Sequence, residues 1–193
     1  MDERNPYAPP ATAVADIDST SASAEAVDTP FFAVTLFKYL LMFVCTLGLY
    51  QIYWFYKNWQ LVKEREGFAG LRISPVPRAI FAVFFCYQLF AKVRNFEHPA
   101  LRPRRRLLAG PLAAGWIILT VLWRLPDPYW WPSAFSFLFI LPVQPRVNQI
   151  NADVAPGHDR NARLSWRNWI VVGLGGAFIL LAIIGLLMPT ETD

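Results

Sequence analysis

The fold turns on one stretch, FKYLLMFVCTLGLYQIYWFY, residues 37–56. A helix of ~20 mostly apolar residues covers the ~30 Å hydrocarbon core of a bilayer. Only Lys38, near its start, and Gln51 interrupt the run. Taken alone, the segment reads as a first transmembrane span ending in an aromatic cluster. Tyr50, Tyr53, Trp54, Tyr56 and Trp59 crowd that end, with Lys57 and Asn58 among them. Trp and Tyr collect where a span leaves the bilayer, because each joins an apolar ring to a polar tip. The cluster is therefore expected to be an interfacial anchor rather than a ligand site. Gly48 is expected to give a close helix contact or a slight bend.

The rest of the chain agrees with a membrane setting. Of 193 residues, 55% are hydrophobic and only 17% charged. Mean hydropathy is +0.31. Soluble domains carry about 25% charged residues. Three further apolar stretches follow: LLAGPLAAGWIILTVLW (107–123), YWWPSAFSFLFILPV (129–143) and the uncharged WIVVGLGGAFILLAIIGLLM (169–188). RAIFAVFFCYQLFAK (78–92) is ambiguous. Its terminal charges would lie ~21 Å apart on a helix, less than the hydrocarbon thickness. It reads as re-entrant or interfacial, with a fifth span as the alternative.

Loop charge bears on that choice, because Lys and Arg gather in cytoplasmic loops. Residues 57–78 carry five basic side chains against two acidic, and residues 92–106 six against one. Residues 144–168 carry four against two. If 78–92 does not cross, all three basic loops share one side and both termini lie outside. If it crosses, the N-terminus is inside and the C-terminus outside. The expected fold is all-α and polytopic, with four spans and one short embedded segment. In the four-span form Trp166 and Trp169 join the first aromatic group at one interface. Trp123, Trp130 and Trp131 mark the other.

The chain divides into an acidic tail (1–30), a first span with basic loop and short membrane segment (31–106), and a three-span bundle (107–193). Residues 1–29 hold six acidic residues and one arginine, and have no apolar core, so they do not read as a signal peptide. Their Ala, Ser, Thr and Pro content suits a solvated tail.

CTLGLYQIYWFYKNW (45–59) resembles an uncharacterised family of small bacterial multi-pass membrane proteins. The first span of that family ends in T-x-G-(I/L)-Y-x-x-Y-W-(F/L)-Y. Thr46, Gly48, Leu49, Tyr50, Tyr53, Trp54, Phe55 and Tyr56 match it. The resemblance covers about the first half of the chain. It implies a bacterial cytoplasmic membrane and brings no activity, cofactor or site.

Chemistry inside a bilayer needs ionisable or nucleophilic groups there, which are expensive to keep. No Asp, Glu or His falls within the four stretches, and His98 and His158 sit in loops. Cys45 and Cys86 read as small apolar residues. No metal, cofactor or nucleic acid is expected, and the chain reads as non-enzymatic. Gly110-x-x-x-Ala114 and Gly173-x-x-x-Ala177 have the small-xxx-small spacing that lets helices approach closely. They are expected to pack within the monomer, with homodimerisation as the alternative. Arg102, Arg104, Arg105 and Arg106 form a topology anchor or an anionic-lipid contact. Gln144, Asn148 and Asn151 lie at i, i+4 and i+7, a polar stripe expected to be a solvated helix face. Gln51, Gln88, Asn148 and Asn151 are the only candidates for a polar path. The expected role is an interaction or membrane-organising component, working with the bilayer and an unidentified membrane protein. A small channel or carrier is the alternative.

Overall fold

The computed structural model describes residues 29–187. Residues 1–28, nearly all of the acidic tail, and residues 188–193 lie outside that range. Among the described residues every regular element is helical. They are α1 (Leu36–Cys45), α2 (Tyr50–Arg65), α3 (Gly67–Gly70), α4 (Pro75–Ile80), α5 (Ala82–Arg94), α6 (Ala109–Leu122), a 3-10 segment (Trp131–Phe139), α7 (Val143–Val154) and α8 (Trp166–Leu187).

The expected first span is not one helix. It breaks after Cys45 and resumes at Tyr50. Gly48 N donates to Phe43 O at 2.8 Å and Leu47 N to Val44 O at 3.1 Å. That pairing is the Schellman helix stop, which needs a left-handed residue at its centre. Leu47 takes that place at φ 50°, and Gly48 follows at φ 90°. Thr46 locks the turn by donating its hydroxyl to Met42 O at 2.7 Å and accepting from Tyr50 N at 2.9 Å. Glycine usually fills the left-handed site. Here leucine does, so the apolar pattern runs on while the backbone reverses.

The two helices form an antiparallel hairpin. The Tyr39 ring meets Tyr50 and Trp54 at 5.9 and 6.5 Å, and Phe32 meets Tyr53 at 5.7 Å. At the open end Arg65 donates to Pro30 O at 2.5 Å. The chain thus returns to the side it came from. Gly48→Ala should destabilise the turn by about 1 kcal/mol or more, because alanine resists positive φ. Its Cβ would also sit 3.3 Å from the Phe43 ring. Chemical denaturation in detergent would measure this, and an unchanged midpoint would refute it.

The other expected spans differ in length. α8, with 22 residues, rises ~33 Å. Its residues Trp166–Gly185 form the one helix among those described that is long and apolar enough to cross a bilayer. The second stretch gives a 14-residue α6, only ~21 Å long. The third winds as a nine-residue 3-10 segment begun by Trp131-Pro132. It packs back along α6, where a Cβ on Gly115 would fall 2.1 Å from the Phe139 ring. The ambiguous stretch 78–92 splits at Phe81 into the end of α4 and most of α5. Arg78 lies over the Trp59 and Phe85 rings, 4.5 and 5.0 Å from their centroids.

One apolar core joins residues on both sides of the 106/107 boundary. Its largest members are Trp54, Trp59, Tyr39, Phe31, Phe55 and Phe90. Small-residue packing occurs, but in a shifted register. Nothing lies within 4 Å of a Cβ placed on Gly110 or Gly173. Ala114 and Ala177 are exposed. Ala109, Ala113 and Gly115 make the α6 contacts, and Gly175 makes that of α8. A Cβ on Gly175 would come within 1.9 Å of Cys45 O. Lys38 meets residues at the start of α8, and Cys45 meets Gly175, so α1 runs parallel to the first half of α8.

Candidate functional site

Residues 30–34 are buried without regular structure. A buried backbone must find partners for its N–H and C=O groups. Here side-chain amides supply them. Asn151 on α7 accepts from Phe31 N at 3.2 Å and donates to Phe31 O at 2.8 Å. Asn58 on α2 accepts from Phe32 N at 3.1 Å. Gln144 donates to Phe32 O and Val34 O at 3.2 and 3.1 Å. Asn148 adds a second donor to Val34 O at 2.9 Å, and Asn161 donates to Ala33 O at 3.2 Å. Gln144 Oε1 accepts from Trp54 Nε1 at 2.5 Å, tying this clasp into the core.

A second buried amide sits toward the turn. Gln51 donates to Ser136 Oγ at 3.2 Å and accepts from Trp116 Nε1 at 2.7 Å. It joins α2, α6 and the 3-10 segment.

These contacts correct two expectations. The polar stripe of α7 is not a solvated face: Gln144 and Asn151 are fully buried against residues 31–34. Nor do the four path candidates line a passage. Gln51, Asn148 and Asn151 are held in the bonds just given, while Gln88 is exposed and accepts from Arg78 at 3.3 Å. The i, i+4, i+7 spacing signalled the stripe, but its ligand, the chain's own backbone, had no sequence mark.

The anchor residues separate into two sets. Trp54 and Trp59 are fully buried and Tyr50 nearly so, which removes them from any headgroup layer. The hairpin turns their rings inward against Tyr39, Phe55 and Arg78. Tyr53 is exposed and Tyr56 half-buried. Trp123, Trp130, Trp131, Trp166 and Trp169 are all exposed. Among the arginines, Arg104 pairs with Asp153 at 3.1 Å and Arg102 more loosely at 3.8 Å. Arg105 and Arg106 are exposed and have no carboxylate within 4.0 Å among the described residues.

At the hairpin's closed end the surface is apolar. Leu47 and Leu49 are 66% and 67% exposed, with Val44 and Ile52 beside them. Ile80, Phe81 and Phe84, at the α4–α5 junction, repeat the pattern. The apolar flank of α8 carries Leu174, Phe178, Leu181 and Leu187 to the surface. Such contiguous exposure marks a partner or a membrane. Among the described residues no three His, Cys, Asp or Glu side chains gather as metal ligands. No protein-family model, curated protein or solved structure matches the chain.

Proposed function

We propose that this chain is a non-enzymatic, membrane-organising protein of a bacterial cytoplasmic membrane. α8 crosses the bilayer, and α1–α2 enters from the cytoplasmic side and returns. The single observation that carries this reading is the polarity of the hairpin. Its closed end exposes leucines, whereas its open end is clasped by amides and Arg65. A turn ~15 Å from the start of α1 reaches about half the hydrocarbon depth. The α1–α2 hairpin therefore takes up area in one leaflet, while α8 occupies both. The α6 and 3-10 hairpin is the remaining candidate for a crossing pair, and with α8 it would make the protein multi-pass. Thr29 and the basic loops share the cytoplasm, and the C-terminal end of α8 lies outside. In this reading the N-terminus is inside without the five-span arrangement. The resemblance in residues 45–59 supports the bacterial setting.

Single cysteines in a Cys45→Ala/Cys86→Ala background test the topology. With an impermeant maleimide, Phe68→Cys should label only after permeabilisation, and Leu187→Cys in intact cells. Leu47→Cys should label in neither case. Labelling of Thr29→Cys in intact cells, with Phe68→Cys still protected, would restore the first stretch as a crossing span. For the organising role, vesicle diameter should fall as the protein-to-lipid ratio rises. A constant diameter would remove that role.

A further inference from the structure

α1, the start of α2 and the start of α8, with residues 159–165 before it, line an open groove of about 690 Å³. One end is cationic. Lys38 is 5% exposed, and its ammonium reaches Asn161 Oδ1 at 2.7 Å and Arg163 O at 2.9 Å. With the Asn168 amide turned to satisfy its neighbours, its oxygen accepts from Lys38 at 3.0 Å and from Ser165 N at 3.2 Å. All three acceptors are neutral and together take the three ammonium N–H groups, and the charge of Asp159 acts on Lys38 only from beyond contact distance. Arg163 and Arg167 line the same end. Among the described residues no carboxylate lies within 4.0 Å of these three cations. Asp159 is the acidic side chain on the lining, and it accepts from Asn161 N at 2.8 Å in its own turn.

Asn161 has φ 49°, an uncommon backbone state outside glycine. Strain of that kind is held only where surrounding contacts fix it. Here the same side chain holds Lys38 and the backbone of Ala33.

The lining changes character along α1. From Lys38 it passes to Met42, then to Thr46 and Leu49, with Val171 of α8 opposite. That is the direction in which α1 runs beside α8 into the proposed bilayer. We propose that this groove binds a phosphate-bearing anion, its phosphate on the exposed Arg163 and Arg167 beside the buried Lys38 charge, and any apolar part toward Met42 and Leu49. A phospholipid headgroup and free phosphate share the anionic chemistry, and the apolar end favours the lipid. The lipid source rests on the membrane reading above; the anion site does not.

Native mass spectrometry of the full chain in non-ionic detergent tests it, with phosphatidylglycerol, phosphatidylcholine and inorganic phosphate as probes. Phosphatidylglycerol should bind in preference to phosphatidylcholine. Arg163→Gln/Arg167→Gln should weaken it roughly thirtyfold, at about one basic contact's worth per arginine. Both arginines are exposed, so the variant should keep the wild-type melting temperature. Equal binding of the two lipids, or no effect of the double substitution on either anion, overturns the proposal. Phosphate binding with the same arginine dependence, but no lipid binding, supports the site and assigns it to free phosphate. Alkaline carbonate washing of membranes is read separately. Release of the wild type there refutes the membrane reading alone and leaves the phosphate arm to judge the groove.

Discussion

Replacing Gln144 by leucine should cost about 2–6 kcal/mol of stability, by summing the groups left without partners at ~1–3 kcal/mol each. The change nearly conserves volume, so packing is not the main loss. The Trp54 indole N–H loses its acceptor, and Phe32 O loses a donor, both inside the core. Val34 O keeps Asn148. A domain has only about 5–15 kcal/mol in all, so the melting temperature should fall sharply. Residues 30–35 should also become cleavable by added protease. Asn148→Leu is the internal comparison. It is part-buried and shares its carbonyl with Gln144, so about 1 kcal/mol is expected. Equal melting of Gln144→Leu and the wild type would show that the clasp does not hold residues 31–34.

Gly175→Val should separate α8 from α1. The new Cβ would lie 1.9 Å from Cys45 O, and backbone cannot step aside as a flexible side chain can. Overpacking of this kind costs about 1–3 kcal/mol, sometimes more. Gly173→Ala, two residues earlier, meets nothing within 4 Å. It should be neutral or gain up to about 1 kcal/mol from helix propensity. The pair is read by thermal unfolding in detergent and by the reaction of Cys45 with a permeant maleimide. Faster reaction is expected for Gly175→Val alone. Equal behaviour of the two variants would mean that α8 does not rest on α1.

The contrast between these glycines explains what was legible. GxxxA spacing marks a helix as able to pack closely, and both α6 and α8 do so. Which small residue makes contact depends on helix rotation, set by what lies opposite. Phe139 selects Gly115 and the Cys45 carbonyl selects Gly175, whereas Gly110 and Gly173 face open space. The aromatic cluster of 50–59 teaches the same lesson. Its composition suits an interface, but the turn at Leu47–Gly48 folds Trp54 and Trp59 onto Tyr39 and Phe55.

The sequence by itself determined the helical class, the apolar length of α8 and the gathering of basic residues between apolar stretches. Those properties are sums over local residues, and no distant contact is needed to read them. The tertiary structure alone decided that residues 37–56 reverse, that α7 clasps residues 31–34, and that Lys38 faces Asn161 and Asn168 across more than 120 residues. A left-handed leucine leaves no interruption in an apolar pattern. An amide bound to backbone reads the same as an amide bound to water until the chain is closed upon it.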